Sequence, residues 1–142
     1  MQAFSFKTKV KWEENKKGEI WSNKTPTIKI STPPEFKGEE GFWSPEELFL
    51  ASVNTCIMTT FLYFKDKLSF HLLSYESETE GEVSFKEGKL SFTSITVYPR
   101  IKVMKGEISK AKSAMEKTKK YCLISNSIRP EVKVITDIQE GG

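Results

Sequence analysis

The chain has two cysteines, Cys56 and Cys122, and a single histidine, His71, whose side chains commonly act as nucleophiles or metal ligands. They do not supply the four ligands of a structural zinc site, and two cysteines do not make a disulfide framework. In a reducing compartment such a pair is either structural and reduced or redox-active. We assign no role to His71, because a lone strand histidine is more often a surface or packing residue than a ligand.

Cys56 lies in the middle of residues 44–68, a segment that predicts one long helix. Ser44 suits the N-cap position, and Glu47 three residues later can complete a capping box. Residues 48–64 carry no charge, and their apolar side chains surround the whole helix, so we expect a buried core helix covered on every side. The uncharged run is shorter than the roughly 20 apolar residues of a membrane span.

The neighbours of Cys56 on its own helix face are small and weakly polar: Ser52, Thr59 and Thr60. Such a face lets another element approach closely or leaves room for a small molecule. Cys56 is then either an ordinary buried small hydrophobe, as most free cysteines are, or a nucleophile. A nucleophilic cysteine needs a stabilised thiolate that small molecules can reach. The residues alone leave both interpretations open.

Size and charge narrow the class of protein. The chain has 142 residues, 37% of them hydrophobic, which predicts a single domain over residues 1–142 with a real core. The net charge is only +3 and the lysines form no dense cluster, so we expect no nucleic-acid or membrane partner. The first residues alternate and lack the apolar run of a signal peptide, which predicts a cytoplasmic protein.

The other elements are read from apolar periodicity and from Gly and Pro positions. In chain order they are a half-buried strand at 3–13, short strands at 19–22 and 25–31, a loop at 32–43, a β-hairpin of strands 69–84 and 89–104, an amphipathic helix at 106–121 and a last strand at 131–137. After Cys122 the segment 123–130 is expected to leave the helix.

This order predicts an α+β fold: one antiparallel sheet, a long buried central helix and a second, amphipathic helix, with the helices on one face of the sheet. The second helix is too rich in lysine to bury much of the first. The side of the central helix that neither the sheet nor the second helix covers is most simply buried by a second copy of the chain, related by two-fold symmetry. Phe42 and Trp43 end the loop before the central helix, where they either staple it to the core or line a pocket.

Two sequence motifs around the cysteines resemble those of the OsmC/Ohr family, named for osmotically inducible protein C and organic hydroperoxide resistance protein. Pro45-Glu46, followed by Leu50-Ala51 and by Cys56, is similar to the first motif, in which Pro-Glu stands ten residues ahead of a peroxidatic cysteine. Cys122-Leu-Ile-Ser-Asn-Ser-Ile-Arg129 is similar to the second motif, Cys-Pro-Tyr-Ser-Asn-Ala-Thr-Arg, which holds the resolving cysteine.

The resemblance implies an intertwined homodimer with two active sites at the subunit interface, needing neither metal nor bound cofactor. It also implies a thiol peroxidase in which Cys56 attacks a hydroperoxide and Cys122 closes a disulfide. A dithiol reductant, either a lipoyl group or another thiol, then reduces that disulfide. Phe42, Trp43 and Phe49 would form an apolar pocket favouring organic hydroperoxides, although the same residues suit dimer packing equally.

The family also places an arginine in the N-terminal turn, where this chain has Lys16-Lys17-Gly18. The cation that stabilises the Cys56 thiolate is then Lys16, Lys17 or Arg129, and alignment favours Lys16. Lysine cannot copy the two-pronged contact of arginine with a carboxylate.

Glu46 is the carboxylate that the resemblance implies, either orienting the cation or moving a proton. Ten residues of helix span about 15 Å, so either the helix begins after Glu46 or this glutamate serves the partner's cysteine. A glutamate in a first turn is also favoured by capping alone.

Cys122 is expected at a helix C-terminus, where the dipole raises a thiol pKa, which suits a resolving cysteine rather than the first attacker. The alternative to a peroxidase is an OsmC-like dimer that has lost catalysis and binds a small molecule or a partner.

Overall fold

The computed structural model describes residues 2–141 and has the predicted α+β composition. Two compact units make up the chain, the first ending at Phe49 and the second beginning at Leu50. The elements in chain order are β1 (Thr8–Glu14), β2 (Lys17–Ser22), β3 (Ile28–Ser31), α1 (Pro45–Leu68), β4 (Leu72–Lys86), β5 (Lys89–Met104), α2 (Ile108–Tyr121), α3 (Leu123–Asn126), β6 (Val132–Val134) and β7 (Asp137–Gly141).

The first unit contains the predicted N-terminal meander, a three-stranded antiparallel sheet in the order β1-β2-β3. The prediction of a half-buried first strand is wrong for the single chain. The strand begins at Thr8, and all seven of its residues are exposed, with Val10 and Trp12 70% and 71% accessible. Alternation identifies a segment that can pair as a strand, but burial depends on what packs against it, and no described residue covers either face of β1.

The start of α1 follows the predicted capping box. The backbone N–H of Glu47 donates to Ser44 Oγ at 3.1 Å, and the backbone N–H of Ser44 donates to Glu47 Oε1 at 3.1 Å. These two bonds satisfy donors that the first helical turn cannot pair internally. The helix therefore begins at Pro45, as its sequence predicts.

Burial of α1 differs from the prediction of cover on every side. Among the described residues of α1 only Val53, Ile57 and Phe61 are buried, and their spacing of four defines one stripe. The helix is long and apolar enough to cross a membrane by length and composition, a weak criterion that core helices also meet. Within one chain, most of the circumference of α1 is incompletely covered.

The second unit is built on the predicted hairpin of β4 and β5. Its two-residue turn, Glu87-Gly88, has positive φ at both positions, 52° and 78°, as a hairpin turn that matches strand twist requires. Gly88 adopts this conformation without a Cβ penalty.

The C-terminal region contradicts the prediction of one strand at 131–137. It forms two strands, β6 and β7, and both run parallel to β5. The fold therefore has two sheets, one antiparallel and one mixed, rather than a single antiparallel sheet. Short apolar runs specify a strand but not its partner or direction, because parallel pairing joins residues far apart in sequence.

Helix α1 runs antiparallel to β4 within the second unit. Leu50 lies opposite Gly81, where a Cβ would come within 2.7 Å of the leucine side chain. Further along, Asn54 Nδ2 donates to Ser77 O at 3.1 Å, and the rings of Phe61 and Tyr75 pack at 5.5 Å. This register brings the face of α1 that carries Leu50, Asn54 and Phe61 against β4.

Helix α2 is amphipathic, as predicted, and buries four residues: Ala111, Ala114, Met115 and Thr118. Glu107 precedes α2. Its side chain accepts a hydrogen bond from the backbone N–H of His71 at 2.9 Å and another from the His71 ring nitrogen Nδ1 at 3.1 Å. His71 therefore links the start of β4 to the start of α2. Its side chain is 75% exposed, so His71 is a surface residue.

Candidate active site

Cys56 is half-buried in the middle of α1, and its thiol is free. Thr60 Oγ1, one turn further along the helix, lies 3.8 Å from the Cys56 sulfur. The neighbouring Thr59 hydroxyl donates instead to the backbone carbonyl of Cys56 at 3.2 Å. Of these two threonines on the polar face, Thr60 is the one that contacts the sulfur.

Cys122 is fully buried where α2 ends and α3 begins. Its backbone N–H donates to Thr118 O at 2.9 Å, and its carbonyl accepts from the N–H of Asn126 at 3.1 Å. Ser125 Oγ donates to the Cys122 sulfur at 3.2 Å. The chain leaves helix α2 at Cys122, as predicted, but residues 123–126 then form a further helical turn, which was not predicted and has Cys122 as its N-cap.

The fold brings the two cysteines together. The Cys122 thiol and the backbone N–H groups of Leu123 and Ile124 lie near enough to the Cys56 sulfur to lower its pKa. These amides belong to the first turn of α3, where N–H groups have no intrahelical partner. Three donors from one short segment therefore converge on the sulfur of Cys56.

The pKa values of the two thiols move in opposite directions. Burial raises the pKa of Cys56, but the hydrogen bonds from Ile124, Cys122, Thr60 and Leu123 together bring it below the usual cysteine value. Burial also raises the pKa of Cys122, and hydrogen bonds from Ser125 only partly offset this effect. Cys56 is therefore the better thiolate, and Cys122 remains a thiol over a wider pH range.

The sequence predicts that a cation from outside the helix stabilises the Cys56 thiolate, and it carries no direct signal for the backbone amides that lower the pKa of Cys56. One sequence feature could have indicated the short helix α3: Ser125 lies three residues after Cys122, the spacing at which a hydroxyl can bond the side chain of an N-cap residue. Arg129, one of the expected cations, is exposed and forms no side-chain hydrogen bond within residues 2–141.

The other two expected cations, Lys16 and Lys17, lie in the first unit and differ in their contacts. Lys17 Nζ forms ion pairs with Glu39 at 2.9 Å and Glu14 at 3.3 Å. Lys16 Nζ makes one long hydrogen bond, 3.4 Å, to the carbonyl of Phe36. Lys16 is therefore the less constrained of the two ammonium groups.

Glu46 lies in the first turn of α1, so the alternative that the helix begins after it is excluded. Its Oε1 is buried and has no hydrogen-bond partner within residues 2–141. A carboxylate oxygen in that situation loses its hydration without compensation. The capping contacts of this turn are made by Glu47, so capping does not explain Glu46.

The aromatic residues expected at a pocket also lie in the first unit. The ring of Phe42 is half-buried, with Lys17 Nζ 5.7 Å from its centroid; Trp43 is 48% exposed, and Phe49 is half-buried. In the second unit, a groove of about 600 Å³ opens beside Cys56, since Thr60 both lines it and contacts the sulfur. Its lining residues are Thr59, Thr60, Tyr63, Phe64, Lys117 and Tyr121.

Residues 2–141 contain no group of three His, Cys, Asp or Glu side chains placed to hold a metal ion. The chemistry available at the cysteine pair is that of an activated thiolate next to a second, buried thiol.

Comparison with known proteins identifies relatives along almost the whole chain. The uncharacterized protein YmaD of Bacillus subtilis is 26% identical over 141 residues, covering 94% of this chain and 93% of YmaD. An OsmC-like protein of unknown function from Vibrio cholerae has a TM-score of 0.84 at 21% identity, covering 96% of this chain and 99% of its own. An organic hydroperoxide resistance protein from Elizabethkingia anophelis has a TM-score of 0.76 at 15% identity, covering 99% of both chains.

At these identities the solved structures establish a common fold. The family model described as OsmC-like protein matches residues 38–137, well over half of the sequence and both cysteine motifs. The chain therefore belongs to the OsmC-like family, the one its two cysteine motifs resemble.

Proposed function

We propose that this protein is a thiol peroxidase that reduces organic hydroperoxides through Cys56 and Cys122. The observation that supports the proposal is the interaction of two thiols 66 residues apart in sequence: Cys122 helps to lower the pKa of Cys56. The proposal requires the Cα atoms of the two cysteines to lie within about 7 Å of each other, the limit for a disulfide.

In the first step the Cys56 thiolate attacks one oxygen of the hydroperoxide. A sulfur–oxygen bond forms, the oxygen–oxygen bond breaks, and the alkoxide takes up a proton and leaves as an alcohol. Cys56 becomes a sulfenic acid. The lowered pKa of Cys56 supports this assignment, because the thiolate and not the thiol is the nucleophile.

In the second step the sulfur of Cys122 attacks the sulfur of the sulfenic acid. The disulfide forms, the sulfur–oxygen bond breaks, and water leaves. An external dithiol, such as a lipoyl group, then reduces the disulfide to two thiols and is itself oxidised. The burial and raised pKa of Cys122 suit the resolving cysteine, since they disfavour direct reaction with peroxide.

The protein works as a homodimer in this proposal. Large apolar side chains exposed within one chain support it: Phe4, Phe6, Val10 and Trp12 in the first unit, and Tyr63, Leu123 and Ile135 in the second. A second copy would cover such surfaces by symmetry. Sedimentation equilibrium at several concentrations tests this point, and a monomer at micromolar concentration would exclude it.

Glu46 and Lys16 have supporting roles in the proposal. Because α1 begins at Pro45, Glu46 serves the cysteine of the second copy, where its unpaired oxygen orients a cation or moves a proton to the alkoxide. Lys16 takes the place of the family's arginine. Phe42, Trp43 and Phe49 supply apolar surface for the organic group, and a reducing cytoplasm keeps both thiols free.

Titration of the reduced protein with an alkyl hydroperoxide tests the proposal. The wild type should lose both thiols and about 2 Da, and Cys122→Ser should stop with about 16 Da added at Cys56. Cys56→Ser should retain the Cys122 thiol, and hydrogen peroxide should react more slowly than the alkyl hydroperoxide. Retention of both thiols in the wild type would reject the peroxidase.

The second candidate function is a catalytically idle OsmC-like binding protein with both cysteines reduced. The pair Lys16-Lys17 in place of the family's arginine favours it, because an ammonium group cannot hold a carboxylate by two parallel hydrogen bonds. The same titration separates the two functions.

A further inference from the structure

The groove beside Cys56 combines aromatic walls with positive charge. Its volume of about 600 Å³ lies in the range of small-molecule sites. Residues of α1 between Thr59 and Phe64 line one side, and Lys117 and Tyr121 of α2 line the other. The hydroxyl of Thr60, which also lines the groove, lies 3.8 Å from the Cys56 sulfur. A molecule bound in the groove would therefore lie next to the candidate nucleophile.

Three aromatic rings form a continuous wall across the two helices. The ring centroids of Tyr63 and Phe64 are 5.1 Å apart in an edge-to-face arrangement, and those of Phe64 and Tyr121 are 5.8 Å apart. Tyr63 and Tyr121 are 55% and 56% exposed, so these two rings are not part of the core. Such a wall suits an apolar or aromatic body that lies in the groove.

The charge around this wall is positive. Lys117 lines the groove, Lys67 Nζ lies 5.6 Å from the Tyr63 ring centroid, and Lys120 Nζ lies 5.3 Å from the Tyr121 centroid. Within residues 2–141 none of these three ammonium groups forms an ion pair, and no Asp or Glu lines the groove. Positive charge that no acidic side chain offsets favours a negatively charged ligand.

A second copy of the chain suits the groove less well than a small anion does. Tyr63 is among the exposed side chains that the proposed dimer would cover. If the groove lay on the two-fold axis, however, each copy would bring Lys67, Lys117 and Lys120 against the same lysines of the other copy. Like charges brought together across an interface disfavour association. A dimer contact centred on the groove is therefore disfavoured.

We propose that the groove binds the organic part of an anionic hydroperoxide, in which an aryl or similar apolar body carries a carboxylate. This inference rests on the proposed function and names its substrate class. The carboxylate pairs with Lys117, and the body packs on Tyr63 and Tyr121. The peroxide group then lies at the Thr60 end, next to the Cys56 sulfur. The covalent step is unchanged: the thiolate takes one oxygen, and the alcohol that leaves keeps its carboxylate.

The first test measures binding without any peroxide. Titration of the reduced protein with phenylbutyrate and with phenylbutanol, followed by NMR, compares two ligands that differ in charge. We expect the carboxylate to bind roughly twofold to fivefold more tightly, as one exposed ion pair allows. High salt should remove the difference, because it screens exposed charges. Equal affinities at low salt, or no binding of either ligand, would overturn the inference.

Two lysine variants of α2 locate the charge that matters. Lys117→Met keeps the apolar stem and should abolish the preference for phenylbutyrate while leaving the affinity for phenylbutanol unchanged. Lys112→Met removes the same charge at an exposed position of α2 that does not line the groove, and it should keep the preference. An equal loss in both variants would overturn the inference, because net charge and not the groove would then attract the anion.

The second test follows oxidation of Cys56 by two matched hydroperoxides, cumene hydroperoxide and its para-carboxylate. At low concentration the wild type should react roughly twofold to fivefold faster with the carboxylate. Lys117→Met should remove this difference and leave the rate with cumene hydroperoxide unchanged. The same ratio of rates in the wild type and in Lys117→Met would overturn the assignment of the groove to substrate. If neither hydroperoxide oxidises Cys56 while phenylbutyrate still binds, the proposed function fails and the anion site stands.

Discussion

Thr60 Oγ1 lies 3.8 Å from the sulfur of Cys56, whereas the adjacent Thr59 hydroxyl bonds the backbone carbonyl of the same cysteine at 3.2 Å. The two threonines thus make a matched pair for separating contact with the sulfur from contact with the helix. Both replacements by valine keep the side-chain shape and remove one hydroxyl.

Thr60→Val should raise the pKa of Cys56 and slow its alkylation at neutral pH. Loss of a hydrogen bond worth about 1 kcal/mol corresponds to roughly fivefold in thiolate population. Thr59→Val should leave the alkylation rate within about twofold of the wild type. Equal rates in both variants would show that the Thr60 hydroxyl does not stabilise the thiolate.

The two cysteines should differ in the pH dependence of alkylation. Because the pKa of Cys56 is lowered and that of Cys122 is raised, the Cys56 thiolate fraction should reach half its maximum at the lower pH. Peptide mapping after pulses of iodoacetamide from pH 5 to pH 10 would give both curves. Cys122→Ala should shift the Cys56 curve to higher pH, since it removes one donor. A Cys56 curve matching that of a free cysteine peptide would contradict this prediction.

The elements that the sequence predicts well are those with local signals. The start of α1 depends on Ser44 and Glu47, three residues apart, and the hairpin turn depends on Gly88. Both features are decided by neighbours in the sequence. For this reason their bounds agree with the structure within a few residues.

The parts that the sequence does not predict depend on distant packing. Nothing near Cys122 indicates that the amides of Leu123 and Ile124 point at Cys56, because that contact requires α1 and α3 to meet. Parallel pairing of β6 and β7 with β5 is likewise a long-range choice. The exposure of β1 depends on whether another part of the molecule covers it, and an alternating sequence looks the same in a covered and in an uncovered strand.

Ser44→Ala should lower the free energy of unfolding by about 1 kcal/mol, the usual loss for an N-cap. Ser44 is 1% exposed, and its hydroxyl accepts from the Glu47 N–H, so water cannot readily replace the bond. Ser113→Ala, at an exposed position of α2, should be neutral or slightly stabilising because alanine favours helix. Urea denaturation of the two variants gives the comparison. Similar midpoints for both would contradict a stabilising role of the cap.

Gly38→Ala should destabilise the first unit severely, on the order of 3 kcal/mol or more. A Cβ at Gly38 would collide with the backbone carbonyl group of Thr32 and lie 3.0 Å from Ser31 Oγ, so the backbone itself would have to move. Gly41→Ala provides the control, because among residues 2–141 no atom beyond its chain neighbours lies within 4 Å of an added Cβ, and only its φ of 87° is unfavourable. We expect Gly41→Ala to cost roughly 1–2 kcal/mol. Equal urea midpoints for the two variants would show that the loop rearranges freely.

Replacing each lysine of the N-terminal turn by arginine tests which of them substitutes for the family's arginine. Lys17 is already held by Glu14 and Glu39, whereas Lys16 makes only one long hydrogen bond to Phe36 O. If Lys16 occupies the functional position, Lys16→Arg should accelerate oxidation of Cys56 by an alkyl hydroperoxide, since a guanidinium can hold a carboxylate by two bonds. Lys17→Arg should keep its ion pairs and leave the rate unchanged.

Methionine at the same two positions completes the lysine comparison, because it retains the apolar stem and removes the charge. Lys16→Met should slow oxidation of Cys56 with little change in the urea midpoint, since its ammonium group forms no ion pair within residues 2–141. Lys17→Met should lower the urea midpoint, because it leaves the carboxylates of Glu14 and Glu39 without their shared cation. If instead Lys17→Met slowed the oxidation of Cys56 and Lys16→Met lowered the urea midpoint, Lys17 would be the cation that acts on the thiolate.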